Sequence, residues 1–128
     1  MQQTQTIEQF ETKVDEGELT VIHFITMPNT VKYNRGWWVQ LQPTIFIRPC
    51  GTSEKLGLIL ALNIPVAPVK YFFRNGFEQL HFTLFFPALP KGVTHIDIIE
   101  QEGGYVREFF NFYRVPMSKI DGGQPLKH

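Results

Sequence analysis

The chain has 128 residues, of which 43% are hydrophobic and 14% aromatic, with 12 Phe, and its 12 basic and 12 acidic residues cancel. That length suits one domain with a single core; the composition excludes a disordered chain, and zero net charge leaves no long-range field to draw it onto nucleic acid or an anionic membrane. Cys50 is the only cysteine, which excludes an intramolecular disulfide and a multi-cysteine zinc site.

After Met1 the chain runs QQTQTIEQFE, with no basic or apolar leader. The sequence as given reads as cytoplasmic, or as cell-envelope if a signal peptide has been removed. Thr6 to Val14 fits either a strand or one amphipathic helical turn. Leu19 to Thr26, LTVIHFIT, reads as a strand with apolar residues on both faces. MPNTVKYNRG is a loop ending at the Asn34–Gly36 turn. WWVQLQ then alternates, with Trp37, Val39 and Leu41 on one face and Trp38, Gln40 and Gln42 on the other. Pro43 interrupts, and TIFIR resumes to Arg48.

Leu56, Leu58, Leu60 and Leu62 fall at period two, which favours a strand over a helix, where apolar residues recur three and four apart. This stretch is broken by Asn63, Pro65 and Pro68, so it is too short to span a bilayer. KYFF is a short strand before the Asn75–Gly76 turn signal. Leu80, Phe82, Leu84 and Phe86 share one face of the next strand, and Ile96 and Ile98 continue the pattern. Between them PALPKG must be a connection, because Pro87 and Pro90 lack ladder donors; it can be a hairpin or a crossing from one sheet to another. In the last strand, VREFFNFYRV, Phe110 and Phe112 take one face and Phe109, Tyr113 and Val115 the other. Residues 1–116 form the domain, and 117–128, with two adjacent glycines, are expected to be a flexible tail unless they dock.

Seven to nine short strands with regular turns and no long helix give an all-β chain, the pattern of a β-sandwich or barrel, whose alternate residues must be buried against a second sheet. Three stretches of the chain carry chemistry-bearing residues. His95 and Asp97 share the outer face of their strand, with Glu100 beyond. They are either a solvated face, Glu100 accepting donors of the QEGG turn, or a metal or acid–base group joined by His23 or His81; the solvated face is preferred. Cys50, between Pro49 and Gly51, lacks a nucleophile motif. VREFFNFYR interleaves two arginines with aromatics, but the neutral charge favours a core strand over a nucleic-acid surface. No cofactor or phosphate-loop motif is present.

LHFTLFFPALPKGVTHIDIIE resembles small uncharacterised immunoglobulin-like domains of Bacteroidetes proteins, in which a Phe-Pro corner precedes a Leu-Pro-Lys turn and an Asp-Ile-Ile-Glu type of strand. The matching positions are Phe85 to Lys91 and Asp97 to Glu100, with TVIHFI and WWVQLQPTIFIR following more loosely. The resemblance implies a single immunoglobulin-like sandwich, with Trp37 placed like the core tryptophan of that fold, and transfers no catalytic residue. The expected function is a non-catalytic interaction or accessory domain that binds a protein partner or self-associates through exposed aromatic or edge strands. Tyr33, Trp38, Phe46, Ile99 and Tyr105 form the candidate surface. The runner-up is a small-ligand or carbohydrate-binding module with Trp38, Tyr33 or Tyr105 as stacking platform, and a metal-dependent enzyme using His95, Asp97 and Glu100 stands third.

Overall fold

The computed structural model describes residues 19–28, 37–105 and 109–128. Within them the chain is all-β: ten strands and one five-residue helix. The strands are β1 (Leu19–Thr26), β2 (Trp38–Val39), β3 (Phe46–Pro49), β4 (Leu56–Gly57), β5 (Leu60–Leu62), β6 (Tyr71–Phe72), β7 (Leu80–Pro87), β8 (His95–Ile99), β9 (Phe112–Pro116) and β10 (Leu126–Lys127); α1 is Met117–Asp121. They make two four-stranded sheets, β10-β1-β7-β5 and β4-β3-β8-β9, and a ribbon of β2 with β6. No helix among the described residues is long and apolar enough to cross a membrane.

The alternation read along β1 and β7 decides the core. These strands pair antiparallel over their whole length, from Leu19↔Pro87 to Thr26↔Leu80. Ile22 and Phe24 of β1 and Leu80, Phe82, Leu84 and Phe86 of β7 are buried, while His23 and His81 between them face solvent. The second sheet turns Ile47, Ile96, Ile98 and Val115 into the same core cluster. Phe24 stacks on Phe82 at 4.9 Å between ring centroids, and Phe110 meets Phe82 edge-on at 5.2 Å. Each such side chain removed from water contributes about 1.5–3 kcal/mol.

Two segments carry the chain between the sheets. The connection through Pro87 and Pro90 is a crossing, not a hairpin: it leaves β7 in the first sheet and enters β8 in the second. The leucine run is not one strand, and its phase changes along it: Leu56 and Leu58 pack against the core, but in the second half Ala61, opposite Leu84, is the core residue, and Leu60 and Leu62 take the other face. Leu56–Gly57 pairs with β3, and Leu60–Leu62 pairs with β7. The amides of Leu58 and Ile59, between the two, donate to Ile45 and Phe85 in different sheets. Strands that switch sheets in this way make the corners of β-sandwiches. The KYFF strand likewise forms no hairpin across Asn75–Gly76; β6 pairs with β2.

Two expectations change. Residues 117–128 are packed, not loose. Ile120 and Leu126 are buried in the core cluster, and β10 adds to β1 in parallel, Phe24↔Leu126 and Ile25↔Lys127. The His128 ring lies 4.5 Å from that of Phe110, and its amide donates to the Ile25 carbonyl at 2.9 Å. Apolar Ile120 and Leu126 are the anchors that the glycine-rich composition masked. In β9, Val115 does not lie opposite Phe112. Ile96 pairs with Val115 and Ile98 with Phe112, so β9 spends one extra residue across the same span. That bulge flips the parity, so Val115 joins the core and Phe112 packs against it. Arg114 within the bulge has φ 55°.

The pairings also fix which connections share an end. Thr26 of β1 lies beside Leu80 of β7, and Leu62 of β5 beside Thr83. In the second sheet Phe46 opens β3 beside Ile99, the last residue of β8, and Phe112 opens β9 beside Ile98. The connections β1–β3, β5–β7 and β8–β9 thus leave from one end of the molecule. The crossing into β8 and the bulged part of β9 lie at the other.

Candidate binding surface

The three connections at the first end are bonded to one another. β2 in the first pairs with β6 in the second, Trp38↔Phe72 and Val39↔Tyr71, and the Phe73 amide donates to the Trp37 carbonyl at 2.9 Å. Leu41 bridges Val66; its amide donates to Pro65 at 2.9 Å and its carbonyl accepts from Ala67 at 2.8 Å. Buried Leu41 and Ile64 and half-buried Trp37, Val39 and Tyr71 pack these segments onto the core.

Glu100 ties in the third connection. It is 4% exposed, at the end of β8. One carboxylate oxygen accepts the Gln42 amide at 2.8 Å and the other the Phe110 amide at 2.7 Å. These donors come from loops on either side, not from the QEGG turn. The turn itself is held by buried Asn111, whose side-chain oxygen accepts the Glu100 and Gln101 amides and whose nitrogen donates to the Gln101 and Gly104 carbonyls. A side chain at Gly104 would meet the Phe109 ring within 2.9 Å, so glycine is required there by space. Burial pushes the Glu100 carboxyl above its ordinary range, against the pull of its two amide donors.

On this frame stand the exposed aromatics. Trp38 is 43% exposed and its cross-strand partner Phe72 57%; Val69, Phe77 and Tyr105 are also exposed. Opposed aromatics in one register form a continuous apolar strip. The Lys70 ammonium lies 4.4 Å from the Trp38 ring centroid, a cation–π contact that covers one face of the indole. The turn that presents Phe77 is fixed: its amide donates to the Asn75 side chain at 2.8 Å. Glu78 accepts the Arg74 amide, the Tyr71 hydroxyl and, at 3.3 Å, the Arg74 guanidinium. The Arg74 amide first and the Tyr71 hydroxyl next hold the Glu78 carboxyl below its usual range.

Of the residues named from sequence, Trp38 and Tyr105 therefore lie on this end, and Tyr33 falls outside the described residues. Phe46 and Ile99 do not belong to an exposed surface. They are cross-strand partners on the outer face of the second sheet, yet only 8% and 1% exposed. Lys55 lies 4.9 Å over the Phe46 ring and the Arg48 guanidinium 6.0 Å from it, and both cations bind Glu102, at 3.2 and 3.5 Å. Long basic side chains cover apolar surface with their stems in this way. Phe72, Phe77, Val69 and Lys70 were missed. A phenylalanine just past an Asn-Gly turn was the available signal, since a turn tip rarely hides one.

Asp97 alternates as expected with Ile96 and Ile98, but its face is not solvated. The residue is 8% exposed, and its carboxylate takes the Arg48 guanidinium at 3.1 Å, the Cys50 thiol at 3.3 Å and the Arg114 amide, freed by the bulge, at 3.0 Å. Burial alone would raise this carboxyl; the Arg114 amide, Arg48 and Cys50 together hold it below its usual range. Burial first, then the bond to Asp97, pushes the Cys50 thiol up, away from the thiolate a nucleophile requires. His95, Asp97 and Glu100 do not converge. His95 is exposed, Asp97 is enclosed by Arg48 and Cys50, and Glu100 turns towards the opposite loops. His23 and His81 lie on the outer face of the first sheet, across the core from His95.

No family model matches the chain, and neither a curated protein nor a solved structure matches it.

Proposed function

We propose that the protein is a non-catalytic, immunoglobulin-like interaction domain that self-associates through the aromatic strip at its β1–β3, β5–β7 and β8–β9 end. Strand order supports the fold reading. The arrangement β1-β7-β5 repeats the B-E-D order of immunoglobulin sheets, and β4-β3-β8-β9 repeats C′-C-F-G. On that assignment Trp38, Phe72 and Tyr105 sit in the B–C, D–E and F–G connections, the end that variable domains use for recognition. β10, beside the B-like strand, is the departure from the pattern.

The observation that carries the functional reading is the in-register pair Trp38–Phe72, open to solvent on a ribbon that hydrogen bonds hold rigid. Rigid exposed aromatics bury large area at low entropic cost and dominate interfaces. A second copy is favoured because the exposed Trp38–Phe72 pair is apolar and the chain has zero net charge, so no net charge opposes two copies meeting patch to patch about a twofold axis. Lys70 over the indole counts against a sugar-stacking platform. Sedimentation velocity over a concentration series tests the proposal. The wild type should show reversible dimers, and Trp38→Ala with Phe72→Ala should stay monomeric with an unchanged far-ultraviolet spectrum. A wild type that is monomeric throughout rejects self-association.

A further inference from the structure

The opposite end of the molecule carries a second feature. A notch of about 430 Å³ opens there, lined by Pro49, Cys50, Lys91, Gly92, Val93, Thr94, His95 and Arg114. Its volume falls in the range of small-molecule sites, about 300–1,000 Å³. Three of these residues carry basic side chains, on three different pieces of chain: Lys91 on the crossing connection, His95 at the start of β8, and Arg114 in the β9 bulge.

The charges are not balanced locally. Asp97 bonds to two of the lining residues, and its oxygens are already occupied by Arg48, Cys50 and the Arg114 backbone. Among the described residues neither Lys91 nor the Arg114 guanidinium has an acidic partner. The His95 ring is anchored through Nδ1, 3.0 Å from the Thr94 hydroxyl, which leaves Nε2 for a ligand. The floor is preorganised: the Cys50 amide donates to the His95 carbonyl at 3.0 Å and the Met117 amide to Thr94 at 2.8 Å. Gly92 at φ 86° turns the chain directly after Lys91. Basic side chains lining a concave, backbone-braced floor supply the chemistry that holds a tetrahedral oxyanion.

We propose that this notch binds a phosphate group, with Lys91 and Arg114 as its charged clamps and His95 as a third donor. The site is independent of the aromatic strip at the other end, and its test does not depend on self-association. Uniformly ¹⁵N-labelled full-length protein is titrated at fixed ionic strength with inorganic phosphate, pyrophosphate and a nucleoside monophosphate. Saturable shifts, of millimolar strength or tighter, are expected at Cys50, Gly92 to His95 and Arg114. Equal affinity for phosphate and the monophosphate identifies the free oxyanion as ligand; tighter monophosphate binding identifies a phosphorylated small molecule. The variant Lys91→Gln with Arg114→Asn, in which asparagine tolerates the positive φ, should weaken binding by about tenfold or more. Absence of saturable shifts, or affinity unchanged in the double variant with its spectrum otherwise intact, overturns the proposal.

Discussion

Replacing Glu100 with alanine removes the acceptor of two amides from connections 58 and 10 residues away in sequence. The Phe110 amide is buried, so losing its 2.7 Å bond leaves a donor that water cannot reach, at a cost of about 1–3 kcal/mol. The Gln42 amide is only partly buried and can rehydrate, so its loss is smaller, about 0.5–1 kcal/mol. Removing a buried carboxylate returns part of its desolvation cost, and the net loss should be about 2–3 kcal/mol. Urea unfolding followed by tryptophan fluorescence measures this directly. The pH dependence has a definite sign. Burial raises the folded-state pKa of Glu100, so between the ordinary carboxylate range and that raised value the native state binds more protons than the unfolded state. The contribution of Glu100 therefore declines as pH rises through that window, and the gap between wild type and Glu100→Ala should be widest below it and narrow above. A loss under about 0.5 kcal/mol, or a gap that widens with pH, refutes the role of Glu100 as the clasp between the β1–β3 and β8–β9 connections.

Asp97→Asn should cost about 1–3 kcal/mol at neutral pH, because Arg48, Cys50 and the bulge amide lose their common anion. Its folded pKa is depressed, so the contribution is present above the unfolded value and lost as pH falls through the folded one; acid titration of stability should flatten in the variant. Leu126→Ala should cost about 2 kcal/mol, the low end for a buried leucine because the site is at an edge, and hydrogen exchange should accelerate at Phe24 and Ile25.

Much of the architecture was legible because a period of two names the residues that share a face. It identified the inward residues of β7 and β8, the opposite facing of Trp37 and Trp38, and a proline-bounded connection between β7 and β8; β1, apolar on both faces, gave no such reading. Periodicity does not name the sheet. The leucines recur at period two, yet the two halves pair with β3 and β7 and the inward phase changes between them, from Leu56 and Leu58 to Ala61, a choice made by long-range partners. Nor does it foresee a bulge, and one extra residue at Arg114 moved Val115 to the core. Phe46 and Ile99 were placed on the correct face, but the cover over Phe46 comes from Arg48 and Lys55, which Glu102 holds and only the fold brings together. Glu100 was read as an acceptor for the QEGG turn because its true donors lie elsewhere, Gln42 in another connection and Phe110 at the far end of its own. The tail was judged by its glycines, although Ile120 and Leu126 have the apolar bulk to dock it.

The most direct test of the binding surface is hydrogen–deuterium exchange compared between dilute and concentrated protein. Slowed exchange at high concentration should be confined to peptides covering Trp37–Val39, Tyr71–Phe73 and Gln101–Tyr105, the three connections that share one end. Protection along the edge strands β5 or β9 with those peptides unchanged would contradict the account.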